Sequence, residues 1–123
     1  MLSYQPLSDV EAYKKQLKMY VMVRRDILPL VHCGVQAGHA IAEFVHYHPN
    51  ENTRKWVTED KTLIVLEATE EQIKKQMDLF ADHNMNYQPF WEPDMSHAMT
   101  AVAFQPITNE IGAELFKDFK LLK

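Results

Sequence analysis

An apolar stretch of the chain, VQAGHAIAEF at residues 35–44, carries three polar side chains that can do chemistry. Gln36 offers a carboxamide, His39 an imidazole and Glu43 a carboxylate, within a segment whose apolar residues recur at helical spacing. Side chains of these types occur as hydrogen-bonded residues of a core helix and also as the lining of a binding site. The stretch by itself leaves both interpretations open.

His39, Glu43 and His46 follow one another at intervals of four and three residues. A helix places such residues on one face, where they can bind a divalent metal ion if further ligands come from elsewhere. Because no second motif supplies those ligands, we expect no metal site. His39 is then a hydrogen-bonded core histidine and His46 a surface one, and a metal-dependent hydrolase stays as the weaker alternative.

The segment WEPDMSHAMT at residues 91–100 collects a second set of reactive groups. Glu92 and Asp94 flank a proline, and His97 and Thr100 follow closely. Binding and catalytic residues favour loops that rigid elements hold in place, so this segment is a candidate general-base site. A solvated turn is the alternative.

Cys33 lies at the predicted start of the helix, directly after His32. Adjacent residues seldom face each other, so we expect Cys33 to be a small apolar residue rather than a thiolate nucleophile. Gly34 and Gly38 are four residues apart, which predicts a close approach of the helix to another backbone. The lysine and spacing of a phosphate-binding loop are absent.

Apolar periodicity, capping residues and turn signals predict the elements that must position these groups. Helices are predicted at residues 8–17 (capped by Ser8 or Asp9), 35–48, 52–57 (capped by Asn52 or Thr53), 69–84 (capped by Thr69) and 108–122 (capped by Thr108 or Asn109), and strands at 19–23, 62–67, 87–91 and 99–106. Pro89 places the third strand at a sheet edge. The order predicts one α/β domain, a three-layer sandwich with a four-stranded mixed sheet and helices on both faces.

Composition narrows the class of protein. The chain has 123 residues, 46% of them hydrophobic, which suits a single globular domain. Cys33 is the only cysteine, which excludes an intrachain disulfide and favours the cytoplasm. No apolar run approaches the roughly 20 residues that cross a membrane, and the first residues lack the order of a signal peptide. We therefore expect a soluble protein.

The formal net charge of −4 argues against indiscriminate binding of nucleic acid. The charge is uneven, however, because residues 1–34 carry five cations against three acids. Lys18, Arg24 and Arg25 flank the first predicted strand and form a candidate basic patch. A solvated charged face is the other interpretation.

The order of several motifs resembles the second peptidyl-tRNA hydrolase family, the archaeal and eukaryotic type, and especially its short bacterial and phage-like members. These motifs are KMYVMVRRDI, VQAGHA, KTLIVLEA, EPD followed by TAVAF, and the terminal FKLL. The resemblance divides the chain into an N-terminal helical extension, residues 1–17, and a hydrolase-like domain, residues 18–123. It implies an α/β sandwich that is often a homodimer.

The resemblance also implies an activity, the hydrolysis of the ester that joins a peptide to the 3′ ribose of tRNA, without a metal or organic cofactor. Gln36 and His39 match the family's Q-x-x-H-A, and Gln36 is expected to bind substrate. Asp94 is expected to orient the attacking water, beside Thr100 or Ser96 as the family's threonine. The phosphates of tRNA are expected to contact three cations, Lys18, Arg24 and Arg25.

Two segments depart from the family pattern. The family has a glycine- and lysine-rich stretch after its first strand, whereas ILPLVHCG is shorter and places His32 near the position of the last lysine. His32 is therefore the candidate base or oxyanion donor, since its ordinary pKa is about 6.5. The loop around Asp94 is also shorter than the family's. These departures keep a second hypothesis open, a non-catalytic module that binds tRNA or protein.

Overall fold

A computed structural model describes residues 9–123, which form one α/β domain. Its helices are α1 (Asp9–Lys15), α2 (Leu30–Tyr47), α3 (Glu51–Lys55, continued by a π-helical turn at Trp56–Asp60), α4 (Glu70–Asp82) and α5 (Asn109–Leu115). Its strands are β1 (Leu17–Val23), β2 (Thr62–Glu67), β3 (Tyr87–Glu92), β4 (Ala98–Phe104), β5 (Ile107–Thr108) and β6 (Lys120–Leu121). A 3₁₀ turn, Pro93–Met95, follows β3.

The strands form one mixed sheet in the order β3-β4-β1-β2-β6, with β5 paired to the start of β1. β1 runs parallel to β2 and antiparallel to β4, and β3 lies at the edge as Pro89 predicts. The predicted fold class is confirmed, but the sheet has six strands rather than four. The two additional strands have two residues each, which is too short to leave an alternating pattern in the sequence.

β1 is central and is buried on both faces, which explains its nearly continuous apolar sequence. Side chains of alternate residues point to opposite faces of a strand. Met19, Val21 and Val23 pack in the core under α2, whereas Tyr20 and Met22 pack in the core under α4. The strand thus separates two hydrophobic cores and fixes α2 against one face.

Helix α4 matches its prediction most closely. Thr69 caps it, and a capping box joins Thr69 to Gln72 through reciprocal backbone and side-chain hydrogen bonds. Ile73 and Phe80 are fully buried. The local cap and the apolar stripe therefore predict the bounds of this helix, and packing of the stripe in the core stabilises it.

Other helix boundaries differ from the sequence prediction. α2 begins at Leu30, five residues before the predicted start at Val35. Pro29, which has an extended backbone, directly precedes the helix. The cap of α3 is Asn50, whose side chain accepts from the N–H of Thr53, and not Asn52 or Thr53. α1 is present, but its predicted cap Ser8 lies outside the described residues.

The last helix is shorter than predicted. Thr108 caps α5, which confirms one of the two predicted caps. The helix ends at Leu115, however, and not at the predicted residue 122. Residues 120 and 121 instead pair with Glu67 and Leu66 at the end of β2. Edge pairing with the sheet therefore overrides helical continuation of the C-terminal segment.

The predicted close approach at Gly34 and Gly38 is wrong within the described residues. A Cβ added to either glycine meets no atom within 4 Å, because both lie on the outer side of α2. The tight contact is at Gly112 of α5, where a Cβ would lie 2.5 Å from Tyr20 Oη.

Over residues 9–123, no helix is both long and apolar enough to cross a membrane.

Candidate active site

The start of α2 and the end of β3 meet at one edge of the sheet. β1 pairs with β4, with Val23 opposite Ala101, and β4 pairs in turn with β3. This register brings the segment after β1 close to the turn between β3 and β4. A cleft of about 460 Å³ opens there, lined by Leu28, His32, Val35, Gln36, His39, Glu92, Asp94 and Met95.

Gln36 is buried at the base of this cleft and is held by two hydrogen bonds. Its Oε1 accepts from the hydroxyl of Thr100 at 2.5 Å, and its Nε2 donates to Oε2 of Glu92 at 2.9 Å. An ionised carboxylate only accepts, so Nε2 faces Glu92 and the orientation of the carboxamide is determined. Nε2 has a second N–H, for which residues 9–123 supply no acceptor.

Glu92 is the polar residue that joins α2 to the turn after β3. Its Oε1 accepts from the backbone N–H of Asp94 at 3.2 Å, while its Oε2 accepts from Gln36. The hydrogen bond from Gln36, followed by that from the Asp94 backbone and by the nearby His39, holds the pKa of Glu92 below its ordinary value. Glu92 is therefore ionised at neutral pH and stays an acceptor.

His39 lies along one wall of the cleft. Its ring stacks on Phe90 of β3, with 4.6 Å between centroids and an angle of 9° between planes. Phe90 and Glu92 are two residues apart, so both point toward α2. His39 is exposed rather than buried, so the prediction of a core histidine is wrong.

The cleft contains four of the residues predicted for the site, namely His32, Gln36, His39 and Asp94. Asp94 and His32 are exposed at the cleft. Thr100 is fully buried behind Gln36 and does not line the cleft itself. Residues from two segments more than 50 positions apart therefore share one surface.

The turn between β3 and β4 has a constrained backbone. Ser96 and His97 have positive φ angles of 55° and 60°, a conformation that non-glycine residues rarely adopt. The N–H of His97 donates to the carbonyl oxygen of Glu92 at 3.0 Å, which closes the turn. Neither side chain lines the cleft, so the structure does not join Ser96 or His97 to the other site residues.

In the sequence, Glu92 is one of two acids beside a proline, and no local pattern assigns it a distinct role. Its position as the last residue of β3 is the signal that points to function, since ligands bind at the carboxyl ends of strands in α/β proteins. Its partner Gln36 is 56 residues away, and no local pattern identifies such a pair.

Cys33 is buried in the core under α2, as expected for a small apolar residue. Burial raises the pKa of its thiol above the ordinary value. A raised pKa disfavours the thiolate, which is the reactive form. The cysteine therefore has no part in the cleft chemistry.

The metal alternative rests on His39, Glu43 and His46. His39 stacks on Phe90, and His46 packs edge-on against Tyr47. Within residues 9–123 no group of three His, Cys, Asp or Glu side chains has an arrangement that fits a metal ion.

Arg24 does not face solvent. It is 8% exposed, and its Nε and Nη2 donate to Asp26 at 2.9 and 3.1 Å. Its Nη1 donates to Glu70 at 3.1 Å and more weakly to the carbonyl oxygen of Met99. The hydrogen bond with Asp26 raises the pKa of Arg24 and lowers that of Asp26. Four of the five guanidinium N–H groups thus have acceptors within the chain, and two carboxylates balance the charge of this buried side chain, so Arg24 is a poor candidate for a phosphate contact.

The three predicted phosphate-binding cations do not form one patch. Lys18 lies near the start of β1, where its Nζ contacts the hydroxyl of Tyr13 at 3.3 Å. Arg24 follows the end of β1, about 20 Å away at the usual rise per strand residue. Arg25 is partly exposed and donates to the carbonyl oxygens of Leu28 and Lys123.

Comparisons with known proteins agree with this fold. The sequence profile of the family described as Peptidyl-tRNA hydrolase PTH2 matches residues 17–122. The chain is similar to a solved structure of a protein of unknown function from Agrobacterium tumefaciens strain C58, with a TM-score of 0.59 and 14% identity, over 86% of this chain and 97% of that one. At this identity the similarity concerns the fold alone. No curated protein sequence matches the chain significantly.

Proposed function

The chain belongs to the peptidyl-tRNA hydrolase PTH2 family, and on that premise we propose that it hydrolyses the ester between a peptide, or an N-blocked amino acid, and the 3′ ribose of tRNA. The observation that carries the proposal is the cleft in which Gln36, His32 and Asp94 meet. An ester hydrolase needs a group that orients water and a donor that stabilises the oxyanion. The cleft offers both kinds of group.

Asp94 orients the water that attacks the acyl carbonyl and accepts its proton. The free N–H of Gln36 donates to the carbonyl oxygen, on which negative charge develops. Glu92 and Thr100 act through Gln36, because they fix which end of its carboxamide faces the cleft. His32 stands beside them as a second donor, or as the acid that protonates the departing 3′ oxygen.

The proposed partner is tRNA, and the proposed compartment is the cytoplasm. Of the three predicted cations, Arg25 and Lys18 remain as candidates for phosphate contacts, since Arg24 is buried and paired.

We also propose a homodimer, formed through the outer face of α2. That face is uncharged and exposes Leu30, Gly34 and Gly38, and exposed apolar patches mark interaction sites.

The experiment that tests the activity is single-turnover release of an N-acetylated amino acid from tRNA. Asp94→Asn preserves shape but removes the charge that orients water, so we expect the rate to fall by about 10² to 10⁴. Asp78→Asn, on the exposed side of α4, is the matched control and should keep the wild-type rate.

Two results would contradict this proposal. A wild-type rate no faster than spontaneous ester hydrolysis, with tRNA binding retained, favours the non-catalytic binding module. A fully active Asp94→Asn variant moves the water-orienting role to Glu92 or to one of the two cleft histidines. Glu92→Gln and His32→Asn, measured in the same assay, then separate these candidates.

A further inference from the structure

One wall of the cleft is apolar and takes no part in the proposed hydrolysis. Leu28, Val35 and Met95 line it, facing the same space as the polar residues. Leu28 is almost fully buried, and Met95 packs against the core under α2. Val35 is different, because 55% of its surface is exposed. Leu28 and Met95 thus connect this apolar surface to the core, while Val35 leaves it accessible to solvent.

The apolar surface continues beyond the cleft. Val31 lies one helical turn before Val35 and is 75% exposed. The cleft itself measures about 460 Å³, whereas a water molecule takes about 30 Å³ in the liquid. The space beside the polar residues therefore accommodates a group far larger than the attacking water.

We propose that Leu28, Val35 and Met95 form a subsite for an apolar side chain on the acyl residue whose carbonyl is attacked. This inference rests on the proposed ester hydrolysis. Val35 and Gln36 line the same cleft, so a carbonyl oxygen bound by Gln36 places the side chain of its own residue within the space that Val35 borders. The carboxylates of Glu92 and Asp94 in the same cleft disfavour an acidic side chain.

The subsite predicts selectivity between two acyl residues of nearly equal size. The same tRNA is charged with N-acetyl-leucine or with N-acetyl-asparagine, and kcat/KM is measured for each ester. An apolar pocket discriminates between substrates that differ by one methylene, or by the polarity of one group of similar size, by about 10- to 200-fold. Because Val35 is half exposed, we expect the lower end, a preference for the leucyl ester of about tenfold.

Val35→Thr keeps the shape of the side chain but adds a hydroxyl. We expect it to lower kcat/KM for the leucyl ester severalfold, chiefly through KM, and to leave the asparaginyl ester nearly unchanged. Val35→Ile keeps the wall apolar and should retain the preference. Val57→Thr is the matched control, since Val57 is 42% exposed and lies outside the cleft. The molecular mass of each variant in solution shows whether the association state has changed.

Equal kcat/KM for the two esters, or an equal loss on both in Val35→Thr, would overturn the subsite while leaving the hydrolase proposal intact. If the wild type hydrolyses neither ester, the hydrolase proposal fails first. The subsite is then decided by the dissociation constants of amide-linked 3′-(N-acetylaminoacyl) adenosine analogues, which cannot be cleaved. Tighter binding of the leucyl analogue supports the subsite, and equal binding overturns it.

Discussion

Two buried polar networks meet near the end of β1, and they leave different groups free. Around Arg24, every guanidinium nitrogen donates to an acceptor within the chain, chiefly on Asp26 and Glu70. Around Gln36, Thr100 donates one hydrogen bond and Glu92 accepts one, and the second N–H of Nε2 has no acceptor among residues 9–123. The first network is buried outside the cleft and balanced in charge by two carboxylates, whereas the second lines the cleft and keeps one N–H available to a ligand or to water.

The two networks touch through the backbone. The N–H of Arg24 donates to the carbonyl oxygen of Thr100 at 2.8 Å, and the side chain of Thr100 donates to Gln36. We call the network around Arg24, Asp26 and Glu70 the closed network, and the network around Gln36, Thr100 and Glu92 the open network. The closed network therefore holds β4, the strand that carries Thr100 of the open network. A polar residue is thus a candidate for function when it lines the cleft and keeps a hydrogen-bonding group that the fold does not use. Gln36 meets this criterion, whereas Arg24 is buried outside the cleft.

Of substitutions in the two networks, the largest effect is expected from replacing the carboxamide of Gln36 with a carboxylate. Gln36→Glu places a second carboxylate 2.9 Å from Glu92 and removes the free N–H. Loss of one oxyanion donor typically lowers kcat by about 10² to 10³, and like-charge repulsion should also lower the free energy of unfolding. Single-turnover hydrolysis and urea denaturation measure the two effects.

The double variant Gln36→Glu with Glu92→Gln separates the donor from the network. The new carboxylate at position 36 accepts from Thr100 and from the new carboxamide at position 92, so the hydrogen bonds are restored in reverse. We expect the free energy of unfolding to recover while the rate does not. A double variant with the wild-type rate would contradict the donor role of Gln36.

A smaller effect, on stability alone, is expected when the ion pairs of Arg24 in the closed network are removed. Arg24→Met keeps the buried volume but leaves Asp26 without its guanidinium partner, whereas Glu70 keeps its ion pair with Lys74. Because both carboxylates are partly exposed and remain hydrated, we expect a loss of about 1–3 kcal/mol in the free energy of unfolding. Arg25→Met, at the next residue, should cost only about 0.5 kcal/mol. Equal losses in the two variants would contradict the distinction between them.

The closed network also predicts a pH dependence. Hydrogen bonding to Arg24 lowers the pKa of Asp26, so the stabilisation is present above the ordinary carboxyl pKa and is lost as the pH falls through the lowered one. The difference in unfolding free energy between wild type and Arg24→Met should therefore shrink from about pH 6 to about pH 3. A difference that stays constant over this range would exclude Asp26 as the principal partner.

The smallest effect concerns the salt dependence of tRNA binding. Each phosphate contact contributes about 0.7 to 0.9 to the slope of log K against log salt concentration. Arg25→Gln should reduce the slope by about that amount, whereas Arg24→Gln should leave it unchanged, because the buried guanidinium contacts no phosphate. Filter binding over a salt series measures both slopes. A reduced slope in Arg24→Gln alone would reverse the assignment.

Local patterns predicted most of the elements correctly. The residues of β2 were predicted from 62 to 67, and α4 was predicted from its Thr69 cap and its apolar stripe. The errors lie where a distant contact overrides a local preference. Residues 120 and 121 continue a helical pattern in the sequence, yet they pair with the edge of β2. The outward placement of Gly34 and Gly38 likewise depends on which side of α2 meets the sheet.

For the candidate site, the sequence by itself determined which residue types are present and on which elements they lie, because burial imposes a period of two on strands and 3.6 on helices. The order of motifs that the chain shares with the family also identified Gln36, His39 and Asp94 as candidate site residues. Only the tertiary structure decided which polar groups pair. The bonds of Gln36 reach 56 and 64 residues along the chain. They depend on the pairing of β4 with β1 and β3, and on a register shift at Thr100 that lets both Thr100 and its neighbour Ala101 face α2. Register is a property of the assembled sheet, and a single segment of sequence does not contain it.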